Sequence, residues 1–113
     1  MYYIHTVLLD GCPYSIKAKE LLVQYNIRHI DTILDDTNKE KFKSNNLSTF
    51  PQIFLKKHNS NGSQYIGGYS ELDELFRTFY KQRLDNSNLI RIQSKYKMSR
   101  KATLRLVELI NSA

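Results

Sequence analysis

The sequence predicts an α/β fold in which a mixed, four-stranded β-sheet is flanked by helices. Three observations predict it. The apolar pattern runs strand, helix, strand, helix, hairpin, helix. A helical stretch separates the first two strands, which makes them parallel through a right-handed crossover. Asn61-Gly62 then lies between the third and fourth strands, a turn that makes them an antiparallel hairpin. A chain of 113 residues suits one folding unit and can bury a core without disulfides or metals.

The elements follow in order. Tyr2 to Leu9 is an apolar and aromatic run closed by Asp10-Gly11, which reads as a buried strand. Pro13 stands at a first helical position, and Ile16, Ala18, Leu21, Leu22 and Tyr25 recur at helical spacing until Asn26 ends the helix. Residues 27–34 alternate and form the second strand. Asp36 is placed to cap a short polar helix over residues 37–46. "QIFLK" and "SQYI" are the hairpin strands, joined by "HNSNGS". Gly67-Gly68 break the pattern. Ser70 is the expected N-cap of a helix through Leu84, with Asp73 three residues on and Leu72, Leu75, Phe76, Phe79 and Tyr80 inward.

Residues 85–113 read as a basic addition to a domain of residues 1–84. The first 84 residues hold eleven Lys/Arg and nine Asp/Glu; the last 29 hold six and two. Asn86 to Asn88 resemble a linker. Ile90, Ile92, Tyr96 and Met98 alternate with Arg91, Gln93, Lys95 and Lys97, which predicts an extended arm. Ser99 caps a final amphipathic helix with Ala102, Leu106, Leu109 and Ile110 on one side. The basic charge is read as a solvated face. Tyr96 is the one aromatic residue of the tail, too few to stack bases, so nucleic acid is not the expected partner.

No apolar run is long enough to span a bilayer, and the first residues lack the features of a signal peptide. A single cysteine excludes an internal disulfide and points to a reducing, cytoplasmic setting. A monomer is expected. His5, His29 and His58 lack metal-ligand spacing, so no metal site is assigned.

Chemistry concentrates in three short stretches. In "GCPYS", Cys12 stands between a strand and a helix start, where free N–H groups and the helix dipole favour a thiolate. Lys17, one turn on, is a candidate for stabilising that charge. In "TFPQIF", Pro51 opens a strand; the residues alone favour a trans bond there. In "GGYSEL", two glycines allow a close backbone approach and the following helix start offers an anion site.

Together, in this order, Cys12-Pro13-Tyr14-Ser15, Thr49-Phe50-Pro51-Gln52-Ile53-Phe54 and Gly67-Gly68-Tyr69-Ser70-Glu71-Leu72 resemble the glutaredoxin family over roughly residues 2–84. The resemblance implies a thioredoxin-like fold, a cis Pro51, and glutathione as reducing cosubstrate for glutathionylated protein substrates. It makes Cys12 the nucleophile. Tyr14 would line the glutathione groove. Phe50, beside Pro51, would hydrogen-bond the cysteinyl part. Gly68 would belong to the glutathione site, Ser70 would take the γ-glutamyl carboxylate, and Glu71, where the family usually has Asp, would face the amine.

Two positions depart from the family pattern. Leu9 stands where a lysine usually precedes the cysteine, and Lys43 is the candidate replacement. Ser15 stands where many members have a second cysteine, which leaves a monothiol route through Cys12, with the Ser15 hydroxyl hydrogen-bonding the thiolate. Two alternatives stay open: a two-cysteine enzyme whose second thiol was exchanged for Ser15 by engineering, and a module that binds a [2Fe–2S] cluster through Cys12 and glutathione. Cluster-binding members typically carry Gly-Phe-Ser after the cysteine, and Pro13-Tyr14 departs from that.

Overall fold

The computed structural model describes residues 1–43 and 48–112. Four strands, β1 (Tyr2–Leu9), β2 (His29–Leu34), β3 (Gln52–Lys57) and β4 (Ser63–Gly67), form one sheet in the order β2-β1-β3-β4. β1 and β2 are parallel, with Ile4 opposite His29 and Leu9 opposite Leu34. β3 is antiparallel to both β1 and β4. The predicted mixed sheet and hairpin are therefore present.

Helix α1 (Pro13–Gln24) returns the chain from β1 to β2. Its end follows from Asn26, which takes a left-handed φ of 54°. Asn26 N–H donates to the Val23 carbonyl and Ile27 N–H to that of Leu22, a Schellman arrangement in which buried Leu22 and Ile27 pack together. The inward face of α1 is Ser15, Ala18 and Leu22. Ile16, expected inside, is 50% exposed. Shifting the buried stripe by one residue turns Ser15 under the site.

The polar stretch after β2 differs from expectation. A single 3₁₀ turn spans Lys39–Phe42, and Asn38 rather than Asp36 precedes it. Asp36 instead pairs with Lys39 at 3.2 Å, and Asp35 accepts from Thr37. The remainder of the predicted helix, at 44–46, lies outside the described residues.

Helix α2 (Tyr69–Phe79) begins one residue before the predicted cap, Ser70, and ends five before Leu84. Gly68 is its N-cap, and the Glu71 carboxylate accepts from Gly68 N–H at 2.9 Å. Ser70 thus sits in the first turn rather than at the cap. Leu72, Leu75, Phe76 and Phe79 are buried as predicted. Tyr25 of α1 stacks on Phe76 at 4.8 Å and meets Tyr80 edge-on at 4.4 Å, which locks α1 to α2.

The tail is helical where an extended arm was expected. Helix α3 (Asn86–Tyr96) starts on Asp85, whose side chain accepts from Ser87 N–H. Leu89, Ile92 and Tyr96 are buried at helical spacing, whereas Ile90 is 60% exposed. Lys97, at φ 52°, ends it. Helix α4 (Arg100–Ile110) is capped by Ser99, as predicted, and buries Thr103, Leu106, Leu109 and Ile110. Leu89, Ile92, Tyr96, Leu106, Leu109 and Ile110 share one hydrophobic cluster with Ile4, Leu55 and Leu72. Burying a side chain such as Leu89 or Ile92 stabilises by roughly 1.5–3 kcal/mol, so residues 85–112 contribute to the stability of the whole chain. Polar contacts add to the seam: Tyr96 hydroxyl and Lys95 Nζ donate to Glu74 Oε1 on α2 at 2.6 and 2.7 Å.

Candidate active site around Cys12

Cys12 is the N-cap of α1, with extended backbone dihedrals, and Pro13 occupies the first helical turn. Its N–H donates to the Leu9 carbonyl at 3.1 Å, which ties the loop to the end of β1. The side chain is half-buried. Burial of the sulfur pushes the thiol up in pKa. Hydrogen bonds from the Ser15 N–H, the Ser15 hydroxyl and the Tyr14 N–H outweigh that and hold Cys12 below the ordinary thiol value. The site therefore favours the nucleophilic thiolate.

Ser15 is 2% exposed, and its Oγ also accepts from Leu9 N–H at 3.1 Å. It thus links the last residue of β1, the first turn of α1 and the sulfur. Leu9 contributes through its backbone.

The three motifs converge. Cys12 Sγ lies 3.9 Å from the Phe50 carbonyl, and the Phe50-Pro51 peptide is cis. A Cβ placed on Gly68 would lie 3.5 Å from the Pro51 carbonyl oxygen, so a third backbone closes on the same spot. The rings of Tyr14 and Tyr69 stand 6.4 Å apart. Lys17 Nζ lies over both, 5.5 Å from Tyr14 and 5.9 Å from Tyr69. Hydrogen bonds account for the lowered Cys12 pKa, while Lys17, expected to stabilise the thiolate, bridges the two rings.

The remaining residues have defined surroundings. Ser70 is exposed in the first turn of α2, where backbone N–H groups lack helical partners. Gly67 has φ +147°, and a Cβ there would come within 2.6 Å of Glu71, so only glycine fits. Glu71 is engaged through Oε1 with Gly68 N–H. Lys43 follows the 3₁₀ turn and pairs with Glu40 at 3.0 Å. The Gln52 side chain donates to the Phe42 carbonyl at 2.9 Å, which fixes that turn beside the start of β3 and hence near Pro51.

Sequence reasoning missed Tyr69 and Gln52. An aromatic residue directly after Gly67-Gly68, on a helix facing Tyr14, was the available signal for the first. For the second, a buried glutamine directly after Pro51 was the signal. Among the described residues no group of three or more His, Cys, Asp or Glu side chains is arranged to hold a metal. Nor is any described helix long and apolar enough to cross a membrane.

The family model for glutaredoxins matches residues 1–58. This chain belongs to the glutaredoxin family. Glutaredoxin 1 of Rickettsia prowazekii is 38% identical over 90 residues, covering 73% of this chain and 85% of the relative. Glutaredoxin 1 of Rickettsia typhi is 35% identical over 104 residues, 85% of this chain and 89% of the relative. Among solved structures, glutaredoxin 1 from Francisella tularensis, complexed with cacodylate, is 28% identical with a TM-score of 0.56. It covers 73% of this chain and all of that one. The thioredoxin-like fold follows, and this glutaredoxin is a thiol–disulfide oxidoreductase.

Proposed function

We propose that this glutaredoxin reduces protein–glutathione mixed disulfides by a monothiol route through Cys12. The observation that carries the reading is Cys12 at the start of α1, held below the ordinary thiol value by hydrogen bonds that include buried Ser15, in a chain whose sequence contains no second cysteine. The thiolate attacks the glutathionyl sulfur. The sulfur–sulfur bond of the substrate breaks, and the protein thiolate leaves and takes a proton. Cys12 now carries glutathione. A second glutathione thiolate attacks that sulfur, Cys12 leaves as thiolate, and glutathione disulfide is released.

Glutathione would lie across the three converging stretches. The Phe50 backbone beside cis-Pro51 pairs with its cysteinyl unit. Tyr14 lines one wall, and Tyr69 extends that wall with Lys17 between them. The γ-glutamyl carboxylate meets Gly68 and the Ser70 N–H and hydroxyl at the start of α2. Glu71 keeps its second carboxylate oxygen for the amine. Lys43 exchanges its exposed partner Glu40 for the glycine carboxylate, at small cost because surface ion pairs are weak.

The test is the intact mass after incubation with glutathione disulfide, paired with turnover of a glutathionylated protein. One glutathione adduct is expected. In Cys12→Ser both the adduct and turnover disappear. Turnover that survives in Cys12→Ser rejects the proposal.

A further inference from the structure

At the opposite end of β1 from Cys12 the surface holds a cleft of about 640 Å³. Tyr2 of β1, Arg28 from the turn before β2, Lys57 at the end of β3, and Lys101, Arg105 and Leu109 of α4 line it. β1 is eight residues long, and Cys12 lies beyond its far end. At about 3.3 Å per residue the two sites are roughly 20 Å apart. No residue of the candidate active site lines this cleft.

The placement follows from the fold. Sheet register sets Tyr2 opposite Lys57, and Ile4 N–H donates to the Arg28 carbonyl at 3.0 Å. Lys101, Arg105 and Glu108 recur at helical spacing, so they share one face of α4. Among the described residues, four cationic side chains thus surround one concavity with one carboxylate side chain, Glu108. Arg105 Nη1 donates to both Glu108 oxygens, at 2.8 and 2.9 Å. Arg28, Lys57 and Lys101 have no carboxylate partner among the described residues. Unneutralised like charges gathered in a cleft raise its local potential and attract an anion.

We propose that this cleft binds a nucleoside diphosphate, with the phosphates on Arg28, Lys57 and Lys101 and the base against Tyr2 and Leu109. Three observations select that class. The three free cations match the charge of a diphosphate, and arginine engages phosphate in a bidentate manner. Tyr2 packs against the core and is only half-buried, so part of its ring faces the cleft, a ring of the kind on which bases stack. The volume lies within the range of small-ligand sites, and the cations converge on a concavity rather than tracking a stripe as for a nucleic-acid strand.

Calorimetric titration of the full chain with ADP tests this, independently of the glutathione reading. Saturable one-site binding is expected, weakening with added salt. Arg28→Gln and Lys101→Gln should each weaken it about tenfold or more, the worth of a charge-assisted hydrogen bond. Both residues are exposed, so unfolding temperature without ligand and the alkylation rate of Cys12 should stay unchanged. Tyr2→Leu should weaken ADP but leave pyrophosphate unaffected. Failure of ADP to bind, or binding that ignores both charge variants, overturns the proposal. Pyrophosphate binding as tightly as ADP removes the nucleoside from it. A short single-stranded oligonucleotide binding more tightly than ADP replaces the site with a nucleic-acid surface and so also overturns it.

Discussion

Ser15→Ala removes one hydroxyl and should change the protein in two measurable ways. The first concerns the thiolate. The Ser15 hydroxyl is one of three donors that hold Cys12 below its ordinary value against the opposing effect of burial. A hydrogen bond to a charged group contributes about 1.5–3 kcal/mol, and the half-buried sulfur places this one at the lower end. That amounts to about a tenfold shift of the thiolate–thiol equilibrium towards thiol. The thiolate that remains is more basic and a better nucleophile, with a Brønsted slope of about 0.4–0.5, so at pH values where the thiol form predominates exchange should fall only about threefold. The second change concerns stability. Leu9 N–H loses its acceptor at a part-buried position, at a cost of about 1 kcal/mol, the lower end for an unpaired donor. The two effects separate by pH. A depressed folded-state pKa adds stability above the unfolded thiol pKa, and this is lost as pH falls through the folded value. The variant should therefore be more strongly destabilised at alkaline than at acidic pH, while the Leu9 component stays constant. Alkylation rate against pH reads the first effect, and urea unfolding at two pH values reads the second. An unchanged alkylation midpoint would refute the role given to Ser15.

Gly67→Ala places a Cβ within 2.6 Å of Glu71 at a left-handed φ, so the start of α2 must shift. The Michaelis constant for glutathione should rise severalfold while the pH midpoint of Cys12 alkylation holds, and stability should fall by about 1–3 kcal/mol in urea unfolding. Tyr96→Phe removes the hydroxyl that donates to Glu74, whose carboxyl is held below its usual range first by Lys95 and then by Tyr96. Partial exposure limits the loss to about 1 kcal/mol at neutral pH. It should shrink as pH falls through the depressed Glu74 titration, because the pair stabilises only while the carboxylate is charged. Thermal unfolding across acidic pH measures it.

The parts of the chain that were legible are those where one residue type meets one backbone need. Gly-Cys-Pro marked the strand-to-helix turn, Asn61-Gly62 the hairpin, and Gly67-Gly68 the close approach to Pro51. Residues 85–98 misled for a definable reason. Ile90, Ile92, Tyr96 and Met98 fit a period of two, while Leu89, Ile92 and Tyr96 fit the helical period, and the two readings share Ile92 and Tyr96. Packing against α2 and α4 decided between them and left Ile90 in solvent. Asn86, Ser87 and Asn88 looked like a linker because such residues favour caps and turns; here they form the first turn on an Asp85 cap. The α2 boundary was misplaced because Ser70 is the stronger intrinsic cap, yet Glu71 reaches back to Gly68 N–H and moves the start upstream. Of the candidate site, the three stretches that converge around Cys12 were visible in sequence. The bridging of Tyr14 and Tyr69 by Lys17 was not, since it depends on how α1 faces the start of α2.

The lone cysteine and the serine after it form one device. A second thiol at Ser15 would receive the same Leu9 N–H and the same burial, but it would also offer an internal route out of any Cys12 mixed disulfide. The hydroxyl keeps the donor that stabilises the thiolate and removes that route, since oxygen cannot form the resolving bond. The buried position matters to this division. A solvent-exposed serine would be replaced by water with little loss, whereas Ser15, at 2% exposure, holds its hydroxyl in one place between Leu9 N–H and the sulfur. On the proposed monothiol route, resolution comes from a thiol that enters from outside. The open side of the Cys12 sulfur, bounded by the Phe50 carbonyl, the Tyr14–Tyr69 pair and the start of α2, is where a second small thiol would have to arrive.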